Sequence, residues 1–102
     1  MNRIIEDNIS EIHELCEKHM IETMFSFGSV NTNKFDEQSD VDLMISFKNS
    51  LSILDYADNY FDLEESLKKL LKRQIDLVVE KSVKNPYFKE EIDETKIKIY
   101  GA

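Results

Sequence analysis

A chain of 102 residues with 41% hydrophobic and 33% charged side chains has the balance of an ordinary globular protein and is read as one domain spanning residues 1–102. Two glycines and one proline exclude collagen-like and low-complexity readings, and a formal net charge of −8 repels a phosphate backbone, so direct binding of nucleic acid by bulk electrostatics is not expected. A single cysteine, Cys16, leaves no intramolecular disulfide, no apolar run nears the roughly 20 residues of a membrane helix, and Met1 to Asp7 turn acidic before a signal core forms, so a cytoplasmic protein is expected.

The chain opens with an amphipathic pattern. Ile5, Ile9, Ile12, Cys16 and Met20 recur at spacings of three and four, Ile4 and Leu15 widen the stripe, and Glu6, Glu11, Glu14 and Glu17 form the wet face. Residues 21–27 are β-branched and aromatic, too short for a helix, and stop at Gly28, so they predict a strand. A polar stretch from Gly28-Ser29 to Ser39 has no periodicity and predicts a loop with room for one helical turn. Residues 40–47 alternate: Val41, Leu43, Ile45 and Phe47 point one way, Asp40, Asp42, Met44 and Ser46 the other.

A second helix is predicted over 55–72, with Phe61, Leu63, Leu67, Leu70 and Leu71 toward the core. Residues 74–80 form a third strand, Ile75, Leu77 and Val79 on one face and Asp76 and Val78 on the other. Asn85-Pro86 starts a helix carrying Tyr87, Phe88 and Ile92, and residues 96–100 close the chain as a strand. This order, α-β-loop-β-α-β-α-β, packs helices against a sheet, and the helix between the second and third strands allows those two to run parallel.

The chemistry concentrates in Phe27-Gly28-Ser29 and, ten residues on, Asp40-Val41-Asp42. Aspartate is depleted in strands, and two like charges about 5 Å apart repel by about 3 kcal/mol at an effective dielectric of ~20. Such a pair is either left in water or neutralised by a cation, and oxygen-only ligands suit Mg²⁺. Asp76, if its strand lies beside the second, adds a third carboxylate on the same side. Three carboxylates there would hold two cations, activating an attacking oxygen and steadying a leaving pyrophosphate, with Asp76 placed to deprotonate an acceptor hydroxyl. Gly28 lets the backbone approach a ligand closely, and the following amide and the Ser29 hydroxyl could donate to a phosphate oxygen.

Together these residues resemble the motif of the nucleotidyltransferase superfamily that includes DNA polymerase beta: Gly-Ser, a spacer, Asp-x-Asp, then a later strand carboxylate. Gly28, Ser29, Asp40, Asp42 and Asp76 match it position by position, and Ser39 fits the Ser-Asp-x-Asp form. The length is similar to that of the minimal nucleotidyltransferases. The resemblance implies an α+β fold, a mixed twisted sheet with helices mainly on one face, with Mg²⁺ and a nucleoside triphosphate, ATP, as the reacting pair. It implies Asp40, Asp42 and Asp76 as catalytic metal ligands, and Gly28, Ser29, Ser39 and Lys34 as nucleotide contacts. It also implies a toxin–antitoxin setting with a small all-helical HEPN ribonuclease, which the nucleotidyltransferase silences by AMP transfer to a tyrosine, by binding, or by both. Homo- and hetero-oligomers stay open.

The sequence departs from the family where many members follow Gly-Ser with an Arg-x-Arg-Gly-like run; here it reads Val30-Asn31-Thr32-Asn33, with Lys34 the one nearby cation and Lys72 or Arg73 as substitutes. A domain this small can form a donor site but has little left for an acceptor pocket, so the acceptor is expected on another protein, with Tyr56, Tyr60, Tyr87 or Phe88 as candidate contacts. The alternative is an antitoxin that works by contact alone; a stand-alone transferase on a small molecule or RNA end fits the charge less well. His13, Cys16 and His19 sit at spacing three, which drifts about 60° per step on a helix, so no metal site is expected; Cys16 is assigned to the core and both histidines to solvent.

Overall fold

A computed structural model describes residues 1–101; the domain reading extends one residue further, to Ala102, which lies outside the described residues. Helices α1 (Arg3–Glu6) and α2 (Ile9–Lys18) lead into β1 (Ile21–Phe27), then β2 (Val41–Phe47), α3 (Ile53–Leu71), β3 (Ile75–Val79), α4 (Pro86–Thr95) and β4 (Ile97–Tyr100), with 3₁₀ turns over Gly28–Asn31 and Glu80–Ser82. The sheet order is β3-β2-β1-β4. Strand β1 pairs antiparallel with β2 and β4, while β2 and β3 run parallel through the α3 crossover, the arrangement that the helix between them allows.

The two faces of the sheet are covered unequally. Val41, Leu43, Ile45, Ile75 and Leu77 pack against Ile12 and Cys16 of α2 and Leu63, Leu67 and Leu71 of α3. On the other face Phe27 and Met44 meet Ile92 of α4, with Phe88 at the edge. Most helical mass therefore lies on one side, and α4 covers part of the other. Leu63 is fully buried, and Leu63→Ala should lower unfolding free energy by about 2–5 kcal/mol in urea titration.

Several expectations are corrected. The first helix is broken: the Asn8 side chain donates to Ile4 O at 2.7 Å, taking the carbonyl that its own amide would have used in a continuous helix, and that amide goes to Ile5 O instead. Met20 leaves the helix in the left-handed region at φ 62°. A bulge between Ile21 and Thr23 shifts the register of β1, so that Ile21 and Met24, three apart, are both in the main core. Helix α3 starts two residues earlier than predicted, because Ser52 caps it by accepting from the Asp55 amide, and ends where Lys72 turns left-handed at φ 56°. Phe61, expected in the core, is 63% exposed.

Cys16 is buried, and burial pushes its thiol up to about 12, which makes it inert packing. His19 is not solvated. It is buried, with Nδ1 2.7 Å from Leu15 O and Nε2 2.5 Å from Asp62 Oδ2, so its ring ties the end of α2 to α3. His13 stays exposed, and its Nε2 lies 2.6 Å from Ile99 O. No helix among the described residues is long and apolar enough to cross a membrane.

Candidate active site

Register places the acids. Phe27 pairs with Asp42 across β1 and β2, and Asp42 pairs with Asp76 across β2 and β3, so the three residues form one row across the sheet. Neighbouring strands lie about 4.8 Å apart, which sets the Asp42 and Asp76 side chains beside each other on the α4 face. Asp42 is half-buried. That burial first, then the charges of Asp76 and Asp40, pushes its carboxyl up to about 6.

Gly28, directly after Phe27, has φ +73°. A Cβ there would sit 2.5 Å from Asp42 Oδ2, so only glycine lets the turn approach the carboxylate this closely. Contacts from far along the chain hold the turn in place. The Gly28 amide donates to Thr95 Oγ1 at 2.8 Å, and Asn31 Nδ2 donates to Ser26 O at 3.0 Å and Thr95 O at 2.8 Å. The Thr32 amide and hydroxyl both donate to the Ser29 carbonyl. The end of α4 thus anchors the turn, and Thr95, Asn31 and the cleft residues Glu91 and Glu94 carry no motif that would have marked them in the sequence.

Gly28, Ser29, Lys34, Asp42 and Asp76 line one cleft of about 330 Å³, with Phe88, Glu91 and Thr95 across from them. Asp40 and Ser39 line a neighbouring cleft, although the charge of Asp40 is close enough to raise the Asp42 carboxyl. Asp40 precedes the first residue of β2, is exposed, and opens on that cleft, shared with Lys68, Lys72 and Arg73. Ser39 is occupied with its own loop: its hydroxyl donates to Asp36 Oδ1 at 3.0 Å and accepts from the Asp36 amide. Arg73 Nη2 donates to Asp36 O at 2.6 Å and Ser39 O at 2.5 Å, and its guanidinium lies 4.5 Å from the Phe35 ring centroid. Arg73 is therefore the clamp of the loop that delivers Asp40, rather than a free cation for a ligand. Arg73→Ala should free residues 36–40 to proteolysis and cut any Asp40-dependent activity by about tenfold, measured by limited digestion and turnover together.

The donor set suits a hard cation. Among the described residues no three His, Cys, Asp or Glu side chains already converge as a metal cluster. Asp42 and Asp76 offer a pair of carboxylates, with Asp40 two residues before Asp42, and Mg²⁺ is commonly held by one or two carboxylates, waters and substrate phosphates. The charge repulsion that raises Asp42 is what such a cation would remove.

A sheet of this order, with paired acids in register beside a Gly-Ser turn, is the arrangement that the nucleotidyltransferase resemblance implies. The polymerase beta nucleotidyltransferase family profile matches residues 10–102, and the chain belongs to that family. It is 34% identical over 94 residues to "Putative protein adenylyltransferase MJ0128" of Methanocaldococcus jannaschii, covering 84% of this chain and 92% of that protein. It is 35% identical over 72 residues to protein adenylyltransferase MntA of Thermococcus cleftensis, covering 71% of this chain and 69% of that one. A solved "putative minimal nucleotidyltransferase" superposes with a TM-score of 0.72 at 28% identity over 95% of each chain. A chain in a structure of a tri-AMPylated Shewanella oneidensis HEPN toxin in complex with MNT antitoxin shares the fold, with a TM-score of 0.65 at 17% identity over 95% of this chain and 72% of that one.

Proposed function

We propose that this chain transfers a nucleoside monophosphate, AMP from ATP, to a hydroxyl of a partner protein, and that the partner is a small helical HEPN ribonuclease silenced by the modification. The observation that carries this reading is the Asp42–Asp76 register pair facing a Gly28 turn that no other residue could bring so close. The names of its relatives, protein adenylyltransferases and antitoxins of HEPN toxins, support the same substrate class.

Asp42 and Asp76, with Asp40 from the adjoining loop, would hold Mg²⁺, which supplies neutralisation of the phosphate charge and of the leaving pyrophosphate. Ser29 and Lys34 would hold phosphate oxygens in the cleft. The acceptor oxygen bonds to the α-phosphorus as the bond to the bridging oxygen breaks. Pyrophosphate leaves, and the acceptor proton passes to Asp76. The donor would be bound by this chain, and the acceptor positioned by the surface that presents it.

Purified chain, Mg²⁺, α-labelled ATP and the cognate helical HEPN protein should yield a labelled partner. A partner that stays unlabelled with wild type, or is labelled equally by Asp42→Asn, overturns the assignment.

One observation favours a second reading, silencing by contact alone. Among the described residues lining the cleft Lys34 is the one cation, whereas Asp42, Asp76, Glu91 and Glu94 are all acidic. On that reading Asp42→Asn would still protect cells from the toxin while transferring nothing.

A further inference from the structure

The first half of α3 exposes apolar side chains that the fold does not need. Ile53 is 92% exposed, Leu54 90% and Phe61 63%. At about 100° per residue, Ile53, Leu54, Ala57 and Phe61 fall within a single sector of about 100°, next to the buried Leu63–Leu67–Leu71 stripe. The adjoining sector on the other side carries Asp55, Asp58, Asp62 and Glu65, all exposed, with Lys69 among them 3.9 Å from Glu65, so the sector is acidic by four carboxylates to one ammonium. Contiguous exposed apolar side chains rimmed by charged ones are the pattern that marks interaction sites on protein surfaces.

We infer that this face of α3 docks a cationic amphipathic helix of another protein, its apolar ridge on Ile53, Leu54 and Phe61 and its lysines or arginines against Asp55, Asp58 and Glu65. Charge decides the occupant. In an antiparallel two-fold pair of this chain, the acidic edge of one stripe would lie along the same edge of its copy, and two chains of net charge −8 would be brought together. A basic helix meets the opposite condition.

The stripe is apart from the chemistry: Ile53 lies about 27 Å and Phe61 about 15 Å along the α3 axis from Leu71, and the carboxylates lie at the starts of β2 and β3, beside that end of α3 and on the opposite face of the sheet. A helix held there leaves the Gly28 cleft open. The inference goes beyond the transfer reaction and stands without it.

The probe is a fluorescein-labelled Leu/Lys amphipathic peptide of about 18 residues, five helical turns, with a Leu/Glu peptide and a Lys/Ser peptide as controls. Anisotropy should show saturable binding of the Leu/Lys peptide and neither control. Ile53→Ser with Leu54→Ser, at positions too exposed to affect the melting midpoint, should weaken binding at least about tenfold. Asp58→Asn with Glu65→Gln should weaken it at low salt and lessen its salt dependence. Asp42→Asn should bind the peptide as wild type does, so a failed transfer reaction and a failed docking surface are told apart. Equal binding of the Lys/Ser peptide, binding indifferent to the Ile53 and Leu54 changes, or a wild-type dimer in sedimentation equilibrium that those changes dissociate, overturns the inference.

Discussion

Replacing Asp42 by asparagine should lower nucleotidyl transfer at least about 100-fold while making the metal-free protein more stable. The two effects have one cause. Burial and the neighbouring Asp76 and Asp40 push the Asp42 carboxyl up to about 6, above its ordinary 3.8, so the fold favours the protonated form. The stability that this contributes is fully present below about pH 4 and is lost as pH rises through about 6. A shift of this size corresponds to at most about 3 kcal/mol, and because Asp42 is only half-buried about 1–2 kcal/mol is expected. Wild type should therefore melt several degrees lower at pH 7.5 than at pH 4.5 through this group, and Asp42→Asn should remove that part of the pH dependence. Mg²⁺ at pH 7.5 should raise the wild-type midpoint and EDTA reverse it, with a smaller response in the variant, because a cation bound to the folded form alone shifts the equilibrium. Thermal unfolding with and without Mg²⁺ at the two pH values measures all of this without requiring turnover. A variant that melts below wild type at pH 7.5 would mean that Asp42 is held by favourable contacts rather than by repulsion.

Gly28→Ala should be damaging in both respects at once. A left-handed φ of +73° costs a β-carbon-bearing residue about 1–3 kcal/mol, and the added carbon would meet Asp42 Oδ2 at 2.5 Å. Either the carboxylate swings away from Asp76 or the turn lifts from Thr95, whose hydroxyl accepts the Gly28 amide. Urea titration should show a loss of about 1–3 kcal/mol, and transfer should fall by at least about tenfold. Ser29→Ala, one residue on, leaves the backbone untouched and should cost no stability of that kind, so the pair separates a geometric requirement from a ligand contact.

The sequence by itself determined the element order from β1 onward, the alternation of Val41 to Phe47 and of Ile75 to Val79, and hence that Asp42 and Asp76 each point away from the α2–α3 core. A period of two leaves a half-buried strand no other choice, since a one-residue slip would turn Leu43 and Ile45 to the far face. Gly28 was legible too, as a glycine ending an apolar strand ahead of a polar loop.

Tertiary structure alone decided the rest. That Asp42 stands opposite Asp76 is a matter of parallel register, set by how α3 crosses over, and no local pattern encodes it. The contacts that lock the turn come from Thr95, which is 67 residues from Gly28 in the chain. Arg73 became a clamp because the loop before β2 lies against it, taking its Nη2 donors on the Asp36 and Ser39 carbonyls. His19 was buried and Phe61 left in solvent for a related reason. Helical periodicity gives the spacing of a stripe, whereas the packing partners decide where that stripe begins and ends.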